Sequence, residues 1–141
     1  MWVGISIKAE VNRLNRLTRK YFYPENVLVS EEFPDTEWPE IFIKLDENDS
    51  EFPLLLNLYK FEADEDKRQN VSIALAKYLS ESMNCKTICD GTGFGDDDSP
   101  YWSIVWDNGV AYLADDCGST FGDGKKDKPV LITRKIEVKT E

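Results

Sequence analysis

Residues 101–113 read Tyr-Trp-Ser-Ile-Val-Trp, then Asp-Asn-Gly, then Val-Ala-Tyr-Leu, and no other segment constrains the fold so tightly. Asn108-Gly109 takes the positive backbone angles of a two-residue turn at little cost, so the runs on either side are expected to pair as an antiparallel hairpin. The turn fixes register, and register fixes which side chains share a face. Trp102, Ile104 and Trp106 fall on one side, with Tyr101, Ser103 and Val105 on the other. Two readings compete for the first three: packing in a core, expected of two of them, and presentation to a partner.

Period-two alternation of Val3, Ile5 and Ile7 predicts a strand. Val11, Leu14, Leu17 and Tyr21 then recur at helical spacing, with Pro24 as a stop and Arg19 and Lys20 suiting the negative end of the helix dipole. Short strands are expected at 27–29, 41–45 and 54–59, the last two joined by the polar stretch Asp46 to Glu51 with a mobile tip and mostly apolar on both faces, hence central. The strongest helix signal covers residues 66–83, capped by Asp64, with Val71, Ala74, Leu75, Tyr78, Leu79 and Ser82 as the inward stripe. Strands at 86–89 and 130–138 complete the set, the latter following a flexible region from Gly118 to Lys128. The expectation is a single α+β domain over residues 1–141, an antiparallel sheet of about six or seven strands with two helices packed mainly on one face.

Charge is distributed unevenly. The chain carries 17 basic against 27 acidic residues, a net −10, which disfavours direct binding to nucleic acid or to an anionic membrane, since both recognise lysine and arginine. No run approaches the roughly 20 apolar residues of a membrane span, and the start, Met1-Trp2-Val3-Gly4, does not read as an export signal. A cytoplasmic location is expected. Residues 90–123 hold eight acids and no lysine or arginine, interleaved with Phe94, Tyr101, Trp102, Trp106, Tyr112 and Phe121. Residues 24–51 hold ten acids against Lys44 alone. Carboxylates crowded without counter-charge are either well solvated or presented to something cationic.

The residue inventory gives little support to catalysis. The chain has no histidine, the commonest group that exchanges a proton near neutral pH. Asp96-Asp97-Asp98 or Asp115-Asp116 has the residue type of a paired-carboxylate hydrolase, but neighbours on a strand face opposite ways. Cys85, Cys89 and Cys117 match neither a redox nor a zinc spacing and are expected to pack as thiols. The oxygen-rich loops at 46–51 and 90–98 lack the ligand alternation of an EF-hand, and Gly91-Thr92-Gly93-Phe94-Gly95 lacks the lysine of a phosphate loop. No catalytic residue, metal or cofactor is expected.

The pattern Asp90-Gly91, Gly95-Asp96-Asp97-Asp98-Ser99-Pro100-Tyr101-Trp102, Asn108-Gly109, Tyr112-Leu113-Ala114-Asp115-Asp116 resembles bacterial toxin-immunity proteins of the contact-dependent growth inhibition type. The resemblance covers about a quarter of the chain, residues 86–123, and implies a non-catalytic cytoplasmic inhibitor that binds one cognate toxin domain, often a nuclease. Charge and exposure reasoning, not the family, selects the contact residues: Asp96, Asp97, Asp98, Tyr101, Asp107, Asp115 and Asp116. Glu31, Glu32, Asp35, Glu37, Trp38 and Glu40 form a competing surface. A basic toxin domain is the expected partner, because a nuclease that holds phosphates carries positive charge. The alternatives are a nucleic-acid mimic that blocks a DNA-binding protein and a small carboxylate-dependent hydrolase.

Overall fold

The computed structural model describes residues 1–122 and 128–140. Two helices and eight strands follow one another as β1 (Trp2–Ile5), α1 (Val11–Phe22), β2 (Val27–Ser30), β3 (Ile41–Glu47), β4 (Leu54–Lys60), α2 (Glu65–Ser82), β5 (Lys86–Asp90), β6 (Trp102–Asp107), β7 (Val110–Asp115) and β8 (Leu131–Lys135). The strands form one sheet in the order β2-β3-β4-β1-β5-β6-β7-β8. The fold is α+β, with β2 and β3 parallel and every other neighbouring pair antiparallel. The short N-terminal strand inserts between β4 and β5, so β1 and β5, not β3 and β4, occupy the centre.

The anticipated hairpin is present. Asp107 pairs with Val110, and Asn108 and Gly109 hold φ of 47° and 86°, the signs required of a two-residue turn. In its register Ile104 and Trp106 lie opposite Leu113 and Ala111, and the same face carries Cys89 of β5. Ile104 and Trp106 join Val3, Ile5, Ile43 and Leu56 in the main core beneath both helices, to which α1 contributes Leu14 and α2 contributes Leu75 and Leu79. Burial of each large apolar side chain of this kind contributes about 1.5–3 kcal/mol.

Both helices are rotated from the expected stripes. In α1, Asn15 and Thr18 are buried beside Leu14 and Phe22, while Val11, Leu17 and Tyr21 are only partly covered. In α2 the buried set is Ser72, Ile73, Leu75, Ala76, Leu79 and Ser80, and Ser82 is exposed. Polar residues enter the core because each has an acceptor at hand: Thr18 Oγ1 donates to Leu14 O at 2.8 Å, Ser72 Oγ to Gln69 O at 2.9 Å and Ser80 Oγ to Lys77 O at 2.8 Å. A hydroxyl bonded back to its own helix is buried with little penalty.

Asn15 serves another purpose. Its side-chain amide donates to Val29 O and accepts from Val29 N, each at 2.8 Å, so it pairs with the outer border of β2 as an adjacent strand would. Arg19 Nε adds a bond to Val27 O at 3.3 Å. Among the described residues no strand pairs with the opposite border, and all five residues of β8 are exposed, Leu131 and Ile132 included. Beyond β8 the chain turns back over the main core, where Ile136 and Val138 are partly buried.

The face of the sheet away from the helices carries a smaller cluster, Phe52, Ile88, Val105 and Ala114, roofed by Trp2 and Phe121 stacked at 5.3 Å. Gly4 admits this roof, because a β-carbon there would stand 2.6 Å from Ile88 Cγ2 and 3.2 Å from the Phe121 ring. The linker from 46 to 53, expected to have a mobile tip, is internally bonded, with Asn48 N donating to Pro53 O at 2.9 Å and Asn48 Nδ2 to Phe52 O at 2.8 Å. The stretch from Gly118 to Lys128 lies partly outside the described residues; within them, Ser119, Phe121 and Gly122 fold back in tight turns.

Candidate functional site

The loop between β5 and β6 places most of the expected acidic surface. Its shape follows from Trp102, whose indole Nε1 donates to Asp97 Oδ1 at 2.9 Å, and from Gly95, where a β-carbon would lie 2.1 Å from the indole ring. Only glycine lets the backbone cross the ring so closely. Asp97 also accepts from Ser99 N at 3.0 Å. Asp96 receives two bonds from the Arg134 guanidinium on β8, at 3.0 and 3.2 Å, and these hold its carboxyl below the usual carboxylate range and raise the guanidinium in turn. Asp98 is exposed, Tyr101 is half-buried, and Asp115 accepts from Cys117 N at 2.9 Å.

Two of the proposed contacts are displaced from this group. Asp107 sits at the hairpin tip, the far end of β6 from Trp102; five residue steps of about 3.3 Å separate them by roughly 16 Å. Asp116 is only 3% exposed and is no surface acid. It accepts from the Ser103 hydroxyl, its amide donates to Tyr101 O at 2.8 Å, and its carbonyl accepts from both the amide and the hydroxyl of Ser119. Asp116 builds the turn under Phe121. Neither its burial nor the Asp96–Arg134 pairing is visible in sequence, because both depend on residues far along the chain.

The competing segment proves the more open of the two. Residues 31–40 link β2 to β3, and Glu31, Glu32, Asp35, Glu37 and Glu40 are all exposed. Phe33 and Trp38 of the same linker stand 48% and 42% exposed, and Tyr59 of β4 stands 56% exposed. The rings are ordered against one another: Phe33 meets Tyr59 edge-on at 4.9 Å and Trp38 meets Phe42 edge-on at 5.0 Å, with Phe42 fully buried beneath. Edge-to-face packing at such distances is the favoured aromatic geometry. Lys44 Nζ lies 5.6 Å from the Phe33 ring centre and 2.7 Å from Asp46 Oδ1.

Sequence reading named Trp38 and its acids here but missed Phe33 and Tyr59. Tyr59 was within reach: in β4 the leucines at 54, 56 and 58 face the core, and period two puts Tyr59 on the other side. Phe33 joins them only because the linker folds back over Phe42.

The thiols divide. Cys85 and Cys89 are buried, which pushes both up from the ordinary thiol range and disfavours thiolate, whereas Cys117, expected to pack, is exposed. Among the described residues no group of three potential ligands is placed to hold a metal ion, and no helix is long and apolar enough to cross a membrane. Compared with protein-family models, curated proteins and solved structures, the chain matches none.

Proposed function

We propose that this protein is a cytoplasmic, non-catalytic inhibitor of the toxin-immunity type, which binds a basic toxin domain through an acidic surface carrying aromatic rings. One observation carries the reading: exposed carboxylates and partly exposed rings occur together on the linker between β2 and β3, where Glu31, Glu32, Asp35 and Glu37 accompany Phe33 and Trp38, with Tyr59 of β4 packed against Phe33. Aromatic side chains with few rotatable bonds anchor interfaces, and a rim of one charge speeds encounter with the opposite charge. Asp97, Asp98 and Asp115 form a second acidic region at the base of the β6–β7 hairpin.

The test is neutralisation. Affinity capture from the source cell at low salt should return one dominant basic protein. Expressed alone, that protein should arrest growth, and co-expression of this chain should restore it. Association should slow at least tenfold between low and high salt, the behaviour of electrostatically steered pairs. A captured partner that is harmless alone, or whose toxicity persists on co-expression, would refute the proposal.

A further inference from the structure

Exposed rings on β4 and on the acidic linker before β3 bear on the chemistry of a partner. We infer that Phe33, Trp38 and Tyr59 form the docking platform for an arginine-bearing segment of a basic protein; this rests on the inhibitory reading above and deepens it. Three features converge. First, the rings are exposed without being loose, since they lean on each other and on the buried Phe42, so binding costs little side-chain entropy. Second, Lys44 already holds its ammonium over Phe33, so the ring environment accepts a cation within the chain itself. Third, Lys44 is the sole basic residue between positions 24 and 51 and is engaged by Asp46. Glu31, Glu32, Asp35 and Glu37 therefore have no neighbouring basic residue in their own segment.

Arginine fits this surface better than lysine. Its planar guanidinium stacks on an aromatic face while its fork of donors still reaches a carboxylate at the side, whereas an ammonium is a hydrated point charge. Trp38 is the best of the three rings for the purpose, since indole has the strongest cation-binding face. The platform and the β5–β6 loop are separate: β3 and β6 are four strand spacings apart in the sheet, roughly 19 Å at about 4.8 Å each. The two regions are thus tested independently.

The probe is a nona-arginine peptide titrated into the intact ¹⁵N-labelled chain, with nona-lysine as the second arm and the four indole N–H signals, Trp2, Trp38, Trp102 and Trp106, as reporters. The Trp38 signal should move most, and nona-arginine should bind more tightly than nona-lysine. Trp38→Ala with Tyr59→Ala should weaken binding about tenfold or more, the scale of interface anchors. Trp38→Phe should hold within about threefold, since a ring face remains. Glu10→Gln with Glu137→Gln, exposed acids outside both acidic regions, should change affinity less than about threefold. All variants should retain the wild-type far-ultraviolet circular dichroism and a cooperative melt, with a lowered midpoint expected only for Trp38→Ala with Tyr59→Ala, because Trp38 packs on the buried Phe42. Movement of Trp102 with Trp38 unmoved, or undiminished binding by the double alanine variant, would overturn this platform and leave the inhibitory function standing. Equal affinity for the two peptides would overturn the arginine preference. Failure of the neutralisation test, with the Trp38 response intact, would instead overturn the function and keep the platform.

Discussion

Asn15→Leu removes the polar groups that close the β2 border while keeping the branched heavy-atom shape of the side chain. Val29 is 1% exposed, and its N–H and C=O both depend on the Asn15 amide at 2.8 Å. Leaving one buried backbone group unsatisfied costs about 1–3 kcal/mol, so losing both partners should cost roughly 2–6 kcal/mol. Part of that cost returns if β2 shifts outward to admit water. Urea denaturation at neutral pH should show the loss as a lowered midpoint with little change in slope. Hydrogen exchange should place it: the Val29 amide loses protection beyond the global change. Asn15→Asp adds a pH signature. The introduced carboxyl must keep its proton to donate to Val29 O, so its folded-state pKa should lie above its unfolded one. The stabilisation is then present below the unfolded pKa and lost as pH rises through the folded pKa, making this variant closer to wild type at pH 3 than at pH 7. A loss below about 0.5 kcal/mol for Asn15→Leu, with Val29 protection unchanged, would refute the border-closing role.

Gly95→Ala should detach the β5–β6 loop from Trp102, because the new β-carbon would strike the indole; tryptophan emission should shift to the red, with a cost of about 1–3 kcal/mol. The Asp96 carboxyl should titrate below the ordinary range in carbon-detected NMR and return towards it in Arg134→Ala, since the guanidinium is the cause of the shift. The tie between loop and β8 is therefore present above the unfolded carboxylate pKa and lost as pH falls through the lowered folded value. A thiol reagent should modify Cys117 promptly in the native protein and Cys85 and Cys89 only on unfolding; three equally fast thiols would contradict the packing described.

Local chemistry reached some features and not others. Asn108-Gly109 determined a turn and a register by itself, so Ile104 and Trp106 were assigned to one face before any tertiary information. The stripe of α2 was misplaced because its serines have a hidden partner, the carbonyl three residues back, which lets Ser72 and Ser80 enter a core that composition denies them. Strand number was close, but the expectation that strands 41–45 and 54–59 lie centrally did not hold: nothing within residues 2–5 announces that they will separate β4 from β5. For the surface, type and sign of charge were legible while exposure was not. Asp115 and Asp116 are adjacent and chemically identical, yet strand alternation and the Ser103 hydroxyl separate the surface acid from the buried one.

The unequal ends of the sheet set a limit on self-association. A copy approaching along β2 finds the Val29 amide, the Val29 carbonyl and the Val27 carbonyl already engaged by Asn15 and Arg19, so among the described strands edge pairing with a like molecule is favoured at β8. If two copies zip together there, their remaining ends are the plugged ones, and growth stops at a pair. Pairing by this route terminates itself, and fibril extension would first require α1 to peel away.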